Sequence, residues 1–305
     1  MADGTLRTHA PRSLAILVVA SVSASLLAAP TGEADRSTSG GASATPANLK
    51  RAAGPSDPGA PDVLTAVSSN KAYVAGRKVR FSYEVAGSRS ASVVVKVVRI
   101  ADGSTLRTWN QGEVAPGAVK TLAWNAKDHG KTPPDDRYAF RLSATGTSGA
   151  TARNAADDDA RRDSFELHGY VFPLRGSHRY GDGFGVARSG HSHQGQDVFA
   201  SCGTKIVAPR GGRVKARKYH PAAGNYVVID GASTGRDFVF AHLREASPLD
   251  VGDRVYTGQK IGNVGETGNA VGCHLHYEMW SSPGWYSGGH PIDPISFLKA
   301  WDKYS

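Results

Sequence analysis

The sequence predicts a mostly β chain: an immunoglobulin-like β-sandwich followed by an antiparallel β-sheet domain that ends in a short helix. Three observations predict it. Between Asp62 and Leu167 apolar and polar residues alternate with a period of two, the pattern of half-buried strands. From about residue 169 the composition turns to Gly and His, with eight of the eleven histidines beyond that point and short apolar runs between Gly-rich turns. Ile295 to Trp301 is the best helical pattern.

The N-terminus stands apart. Arg7 and Arg12 precede an apolar run from Leu14 to Ala29, shorter than the roughly 20 residues of a membrane span. A basic start, a short apolar stretch and small residues after it predict a secretory signal peptide over 1–34, cleaved after Ala28, Ala29 or Ala34. An uncleaved membrane anchor is the alternative. Residues 35–61, rich in Ser, Thr, Gly, Ala and Pro, have too little apolar surface to offset chain entropy and read as a flexible linker.

The formal net charge is +9. Losing residues 1–34 removes Arg7 and Arg12 against Asp3 and Glu33, so the mature chain keeps it. Such an exported chain is drawn to anionic surfaces such as cell-wall polymers. Nucleic acid is not expected, because no nucleic-acid fold motif or basic helix accompanies the charge.

In the 62–168 segment, Val79, Phe81, Tyr83 and Val85 alternate with Lys78, Arg80, Ser82 and Glu84. Ser92 to Ile100 is Val-rich, and Tyr138, Phe140 and Leu142 alternate again. Turns fall at Ala101-Asp-Gly103, Pro116-Gly117 and Pro133-Pro134. Six or seven short strands in about a hundred residues suggest a small antiparallel sandwich. Ile100-Ala-Asp-Gly103, Leu122-Ala-Trp124 and Asp136-Arg-Tyr-Ala-Phe-Arg-Leu142 resemble the immunoglobulin-like domain of flagellar hook-capping (FlgD-type) proteins. The acidic run 157–159 and Arg161–Arg162 read as a solvated loop.

In residues 169–305, strands are expected at Lys205–Ala208, Gly212–Ala216, Tyr226–Ile229, Phe238–His242 and His274–Met279. Their chemistry lies in three strings. In His193-Gln-Gly-Gln-Asp197 an even separation puts both end residues on one side of an extended segment, with Gly195 leaving room for close approach. In Gly272-Cys-His274-Leu-His276-Tyr-Glu278, His274, His276 and Glu278 share a face while Leu275 and Tyr277 turn to a core. In Phe238-Val-Phe-Ala-His242-Leu243, alternation puts His242 on the side of Phe238 and Phe240. Imidazoles and a carboxylate suit zinc, and a catalytic zinc has three protein ligands and one open position.

Together these strings resemble the lysostaphin-type (LytM-type) zinc endopeptidases of peptidoglycan. The resemblance runs from about Phe172 to Phe297. It includes Phe172-Pro-Leu-Arg-Gly176, Cys202-Gly-Thr-Lys-Ile-Val-Ala208, Gly224-Asn-Tyr-Val-Val-Ile229, Val251-Gly-Asp-Arg-Val255, Gly258-Gln-Lys-Ile-Gly262 and the stretch from Gly268 to Glu278. It implies that His193, Asp197 and His276 bind one zinc ion. It also implies that His242 and His274 position or deprotonate the attacking water and stabilise the oxyanion. Gln196 departs from the family, which usually has an aliphatic residue there. His191 forms an extra His-x-His with His193 and reads as a solvated loop residue. Glu278 could support a metal-binding imidazole or form a salt bridge, and Tyr180 is the candidate for a substrate-side tyrosine.

Cys202 and Cys273 flank the Asp197 and His274 segments. In an exported chain they read as a disulfide, closing a loop of about seventy residues and stabilising by on the order of 4 kcal/mol. Soft metal ligation is the alternative. Lys260, in a segment like the hairpins of lipoyl- and biotinyl-type folds, sits inside a strand pattern rather than at the exposed turn a carrier needs. The expected function is a secreted or wall-associated zinc endopeptidase acting on peptidoglycan peptides. Its rival is a catalytically silent wall-binding regulator, which would normally lack one of the five residues.

Overall fold

A computed structural model of the chain describes residues 49–51, 56–87, 89–154 and 163–305. The signal-peptide segment 1–34 and the 157–162 charge run lie outside the described residues, as does most of the linker. The described chain is mostly β, with one α-helix, Ile295–Asp302. None of its helices is long and apolar enough to cross a membrane.

The first half forms two sheets around one core. One sheet orders strands Lys50–Arg51, Asp62–Val67, Val79–Ala86 and Lys120–Trp124. The other orders Lys71–Tyr73, Ser164–His168, Asp136–Gly146, Ala91–Arg99 and Thr105–Val114, with Thr151–Arg153 paired to Asp136–Gly146. The alternation in the sequence supplies the core: Phe81, Tyr83, Val85, Val93, Val95, Val97, Tyr138 and Phe140 are all fully buried. Phe81 and Phe140 stack across the two sheets with ring centroids 4.8 Å apart.

Two details differ from the expectation. Lys71–Tyr73 runs parallel to Ser164–His168, because both are brought to the same sheet edge by chain segments distant in sequence. The end of the expected linker is also paired: Lys50 and Arg51 align with Thr65 and Leu64, and Asp57 accepts the Thr151 N–H at 2.9 Å. An open sheet edge offers unpaired backbone groups to any polar segment beside it, so pairing here needs no apolar side chains.

The second half is built on a sheet ordered His178–Tyr180, Gln196–Ala200, His274–Trp280, Arg236–Leu243, Gly224–Gly231, Gly212–His220 and Arg254–Val255. A three-stranded sheet of Leu174–Arg175, Lys205–Val207 and Lys260–Asn263 accompanies it. One face of the large sheet carries the main core, including Val198, Val227, Ile229, Phe238, Phe240, Leu275, Tyr277 and Met279, with Leu298 and Trp301 of the helix. The opposite face carries a smaller cluster of Ala216, Val228, Val239 and Trp280. The antiparallel register sets Ala241 opposite His276, Val239 opposite Glu278 and Asp237 opposite Trp280, so this second face also holds the histidines.

The two halves meet at one end of this sheet. Thr257 donates its hydroxyl to Val74 O at 2.6 Å and its N–H to Ala75 O at 3.1 Å. His168 stacks on Tyr304 at 4.0 Å, and Lys71 Nζ donates to Tyr304 O. Thr257 also accepts the Gly211 N–H, beside the paired Gly212 and Gly231, and Gly231 pairs with Arg236. The junction therefore lies at the Arg236 end of the strand whose other end holds His242, six residues or about 20 Å away.

Candidate metal centre

His193, Asp197 and His276 come together from two adjacent strands and the loop before one of them. Asp197 pairs directly with His276, and Phe199 with His274. Gly195 makes this possible, because a Cβ there would stand 2.3 Å from the Tyr277 carbonyl oxygen. Three atoms converge: His193 Nε2 lies 2.9 Å from His276 Nδ1 and 3.1 Å from Asp197 Oδ1, and His276 Nδ1 lies 2.9 Å from that same oxygen. All three residues are largely buried.

The outer nitrogens decide what these inner atoms can do. His193 Nδ1 donates to Gly183 O at 2.8 Å, and a carbonyl can only accept. Its Nε2 is therefore a lone-pair donor in the neutral ring. His276 is turned the other way, with Nε2 donating to Glu278 Oε1 at 2.9 Å and Nδ1 facing the centre. In the neutral rings two imidazole lone pairs and a carboxylate oxygen point at one place, which demands a cation, either a proton shared with Asp197 or a metal ion. Burial alone would lower the His276 imidazole, but hydrogen bonds to Asp197 and Glu278 overcome this and raise it to about 9. Burial would likewise raise Asp197, yet hydrogen bonds from His193 and His276 hold its carboxyl well below the usual range. Atoms bound to one zinc ion at about 2.0–2.2 Å stand no more than roughly 4 Å apart, a limit these three meet. The N2O donor set and its fixed tautomers fit such an ion.

His242 and His274 flank this group. Their rings lie 4.7 Å apart, and His242 lies 5.9 Å from the His276 ring. His242 Nδ1 donates to Thr267 O and His274 Nδ1 to Gly272 O, each at 2.8 Å, leaving both Nε2 atoms as acceptors. His274 Nε2 lies 3.7 Å from Asp197 Oδ1. Burial lowers His242 to about 4, against the opposing pull of its Thr267 hydrogen bond, so the ring is neutral near pH 7.

His242 corrects the alternation argument. Phe238 and Phe240 lie in the main core, whereas His242 turns to the histidine face. It does so through a left-handed backbone, φ +59°, beside a register shift between Asn225 and Val227. A non-glycine residue in that region is strained, and its ring cannot follow the phase of its strand.

Cys202 and Cys273 form a disulfide, with Cα atoms 5.3 Å apart, which joins the turn after Gln196–Ala200 to the start of the His274 strand. Gln196 is buried, and its amide donates to the carbonyls of Gly181, Asp182 and Asp197, holding the loop whose Gly183 anchors His193. His191 is exposed and outside the converging group. Tyr180 is not beside the centre: it pairs with Val198, whose side chain faces the core, and packs on Phe172 and His178.

Two further residues bear on the centre. Arg188, from the hairpin of Ala187–Arg188 and His191–Ser192, reaches Asp197 Oδ2 at 3.4 Å and Asp182 Oδ2 at 3.0 Å. It occupies one Asp197 oxygen and leaves the other to the converging group. Trp280 donates its indole N–H to Glu278 Oε2 at 2.6 Å, fixing the carboxylate that fixes His276. Trp280 continues the alternation 274, 276, 278 and could have been found from it; Arg188 had no signal in the sequence.

A segment of this half, residues 191–294, matches the family model described as Peptidase family M23. Over 89 residues the chain is 39% identical to the peptidoglycan DD-endopeptidase ShyC of Vibrio cholerae serotype O1, covering 29% of this chain and 20% of that protein. It is 31% identical over 129 residues to the glycyl-glycine endopeptidase ALE-1 of Staphylococcus capitis, covering 41% of this chain and 34% of that one. The catalytic domain of the antimicrobial peptidase lysostaphin from Staphylococcus simulans aligns with 28% identity and a TM-score of 0.37, over 40% of this chain and 92% of that one. The chain spans from about a fifth to a third of the length of these curated relatives. The match supports a peptidase domain of the M23, metallopeptidase class in the second half.

Proposed function

We propose that this chain is an exported zinc-dependent endopeptidase that hydrolyses peptide bonds of bacterial peptidoglycan. The observation that carries the reading is the convergence of two imidazole nitrogens and a carboxylate oxygen within 3.1 Å of one another, with the imidazoles of His242 and His274 alongside. His193, Asp197 and His276 would hold the ion. Zinc bound there would polarise a scissile carbonyl and acidify water. The remaining work falls to the chain's own residues. His242 Nε2 accepts the proton of the attacking water, since burial keeps the ring unprotonated. That proton then passes to the amide nitrogen as the carbon–nitrogen bond breaks. His274 Nε2, left as an acceptor by the Nδ1 donation to Gly272 O, helps to position that water.

The chain divides, on this reading, into a signal peptide over 1–34, a linker over 35–61, an immunoglobulin-type sandwich over 62–168 and the peptidase domain over 169–305. The sandwich acts as a platform rather than a cover, because it joins the sheet at the end away from His242. The product works outside the cytoplasm, on or near the wall, where its +9 charge favours anionic polymers.

The test is metal content and amine release from purified cell walls for residues 35–305. The expected result is one zinc per chain and chelator-sensitive release. His276→Ala loses metal and activity together. His242→Ala keeps its metal and loses about 10²–10⁴ in turnover. A wild-type chain that binds zinc but releases no amine from any wall would identify a silent regulator instead.

A further inference from the structure

The histidine face of the sheet does not stop at Glu278. Four residues beyond His276, about 13 Å along the strand, Trp280 opens a cluster of aromatic rings. Tyr286 lies 5.0 Å from the Trp280 ring and 4.9 Å from Trp285, and Trp285 lies 5.8 Å from Tyr226. Trp280 is buried as the floor, while Tyr286 is 71% exposed at the rim.

This corner is held by a specific arrangement. Asp237 is buried, and its Oδ2 accepts the Trp285 backbone N–H at 2.7 Å and the Lys215 ammonium at 2.6 Å. Gly284 is required beside it, because a Cβ there would stand 2.5 Å from that oxygen. Tyr286 itself has φ +44°, a strained conformation for a tyrosine, and one that turns its ring outward. A half-buried ion pair and a strained residue thus accompany an aromatic ring presented to solvent.

We propose that Tyr226, Trp280, Trp285 and Tyr286 form a subsite for a pyranose ring of the glycan strand that carries the peptide cleaved at the metal centre. The proposal rests on the peptidoglycan reading above. Three features select this occupant. The charged groups beneath the rings, Lys215 with Asp237 and Glu278 with His276, are already paired, and the neighbouring cation, Lys218 opposite Tyr226, is exposed at the rim, so the floor itself suits a neutral ligand. The cluster combines ring faces with the phenol hydroxyls of Tyr226 and exposed Tyr286, matching the C–H face and hydroxyl rim of a sugar ring. Its distance from the centre equals three or four residues of extended peptide, the length of a short stem joining a scissile bond to its sugar.

The test uses the full chain and two soluble ligands: an N-acetylhexosaminyl–N-acetylmuramyl tetrapeptide and the same tetrapeptide without sugar. Affinity is read by quenching of tryptophan fluorescence. The expected result is about tenfold tighter binding of the sugar-bearing ligand, a difference abolished in Tyr286→Ala and retained in Tyr286→Phe. Tyr286 is exposed, so a melting curve matching wild type verifies the fold of both variants. Equal affinity for both ligands, no binding of either, or equal loss of both in Tyr286→Ala would overturn the subsite. Wall-peptide cleavage is followed separately. Cleavage without sugar preference removes the subsite alone; sugar preference without cleavage removes the endopeptidase reading alone.

Discussion

The two halves of the described chain are both β and both buried, yet they bury different things. The sandwich interior is apolar and aromatic, and its fully enclosed polar groups are few: Thr65, Ser82 and the Asn154–Asp163 pair among them. The second half buries four histidines or carboxylates of one centre, His193, Asp197, His274 and Glu278, together with His242 and Asp237, and it gathers them at one face of one sheet, His193 from the adjoining loop. Its other face is as apolar as the sandwich. Burying a charged group without a partner is expensive, so a face that collects so many must be organised by function rather than stability. Stability and chemistry are thus assigned to opposite sides of one sheet, while the sandwich has only the first task.

This division can be broken by an asymmetric pair of substitutions. Phe140→Ala removes a buried ring that stacks on Phe81 and packs 5.6 Å from Phe165, and it should cost about 3–5 kcal/mol in denaturant unfolding. Zinc affinity, measured by competition with a chelator under folding conditions, should not move. A parallel loss of zinc affinity would mean that the junction at Thr257 and Val74 couples the halves, and that the sandwich helps to shape the centre.

A smaller effect is expected at Arg188, which sharpens the comparison within the second half. Its guanidinium holds Asp197 Oδ2, so Arg188→Gln should weaken zinc binding by about 10- to 100-fold with little change in melting temperature of the metal-free chain. The cobalt-substituted form provides a direct readout, because a carboxylate free to bind through both oxygens changes the visible spectrum. An unchanged spectrum and affinity would leave Arg188 as a surface ion pair with Asp182.

What could be read from the sequence follows from where the information is local. Alternation along a strand correctly put His274, His276 and Glu278 on one side and Leu275 and Tyr277 on the other, because nothing interrupts that strand. His193 and Asp197 also meet, but His193 reaches the centre from the loop before the Gln196–Ala200 strand, so their spacing was informative without the alternation behind it. Alternation failed for His242, where one left-handed residue reverses the phase. Tyr180, a candidate on the resemblance alone, pairs with Val198 and packs against the core. The carbonyls that set the tautomers, Gly183, Thr267 and Gly272, belong to loops and leave no pattern. In the sandwich the apolar period predicted the core well, but the parallel strand pair and the attachment of Lys50–Arg51 depend on contacts remote in sequence.

The smallest expected effect concerns pH and separates the two interiors again. Burial raises the phenols of Tyr83 and Tyr138 in the sandwich to about 12, and Tyr138 donates to Pro134 O at 2.9 Å. In the unfolded chain these groups ionise near the ordinary value of about 10. Between those limits the unfolded state has lost protons that the folded state retains, so stability is complete below pH 10 and declines as pH rises toward 12. Tyr138→Phe removes one such group. It should lower stability near pH 7 by about 1 kcal/mol through the lost hydrogen bond, and it should flatten the alkaline decline by about one proton. The difference between wild type and variant would therefore narrow as the solution is made alkaline. A difference that stays constant from pH 7 to 12 would mean that the Tyr138 phenol ionises alike in both states, and that the sandwich interior is wetter than its packing indicates.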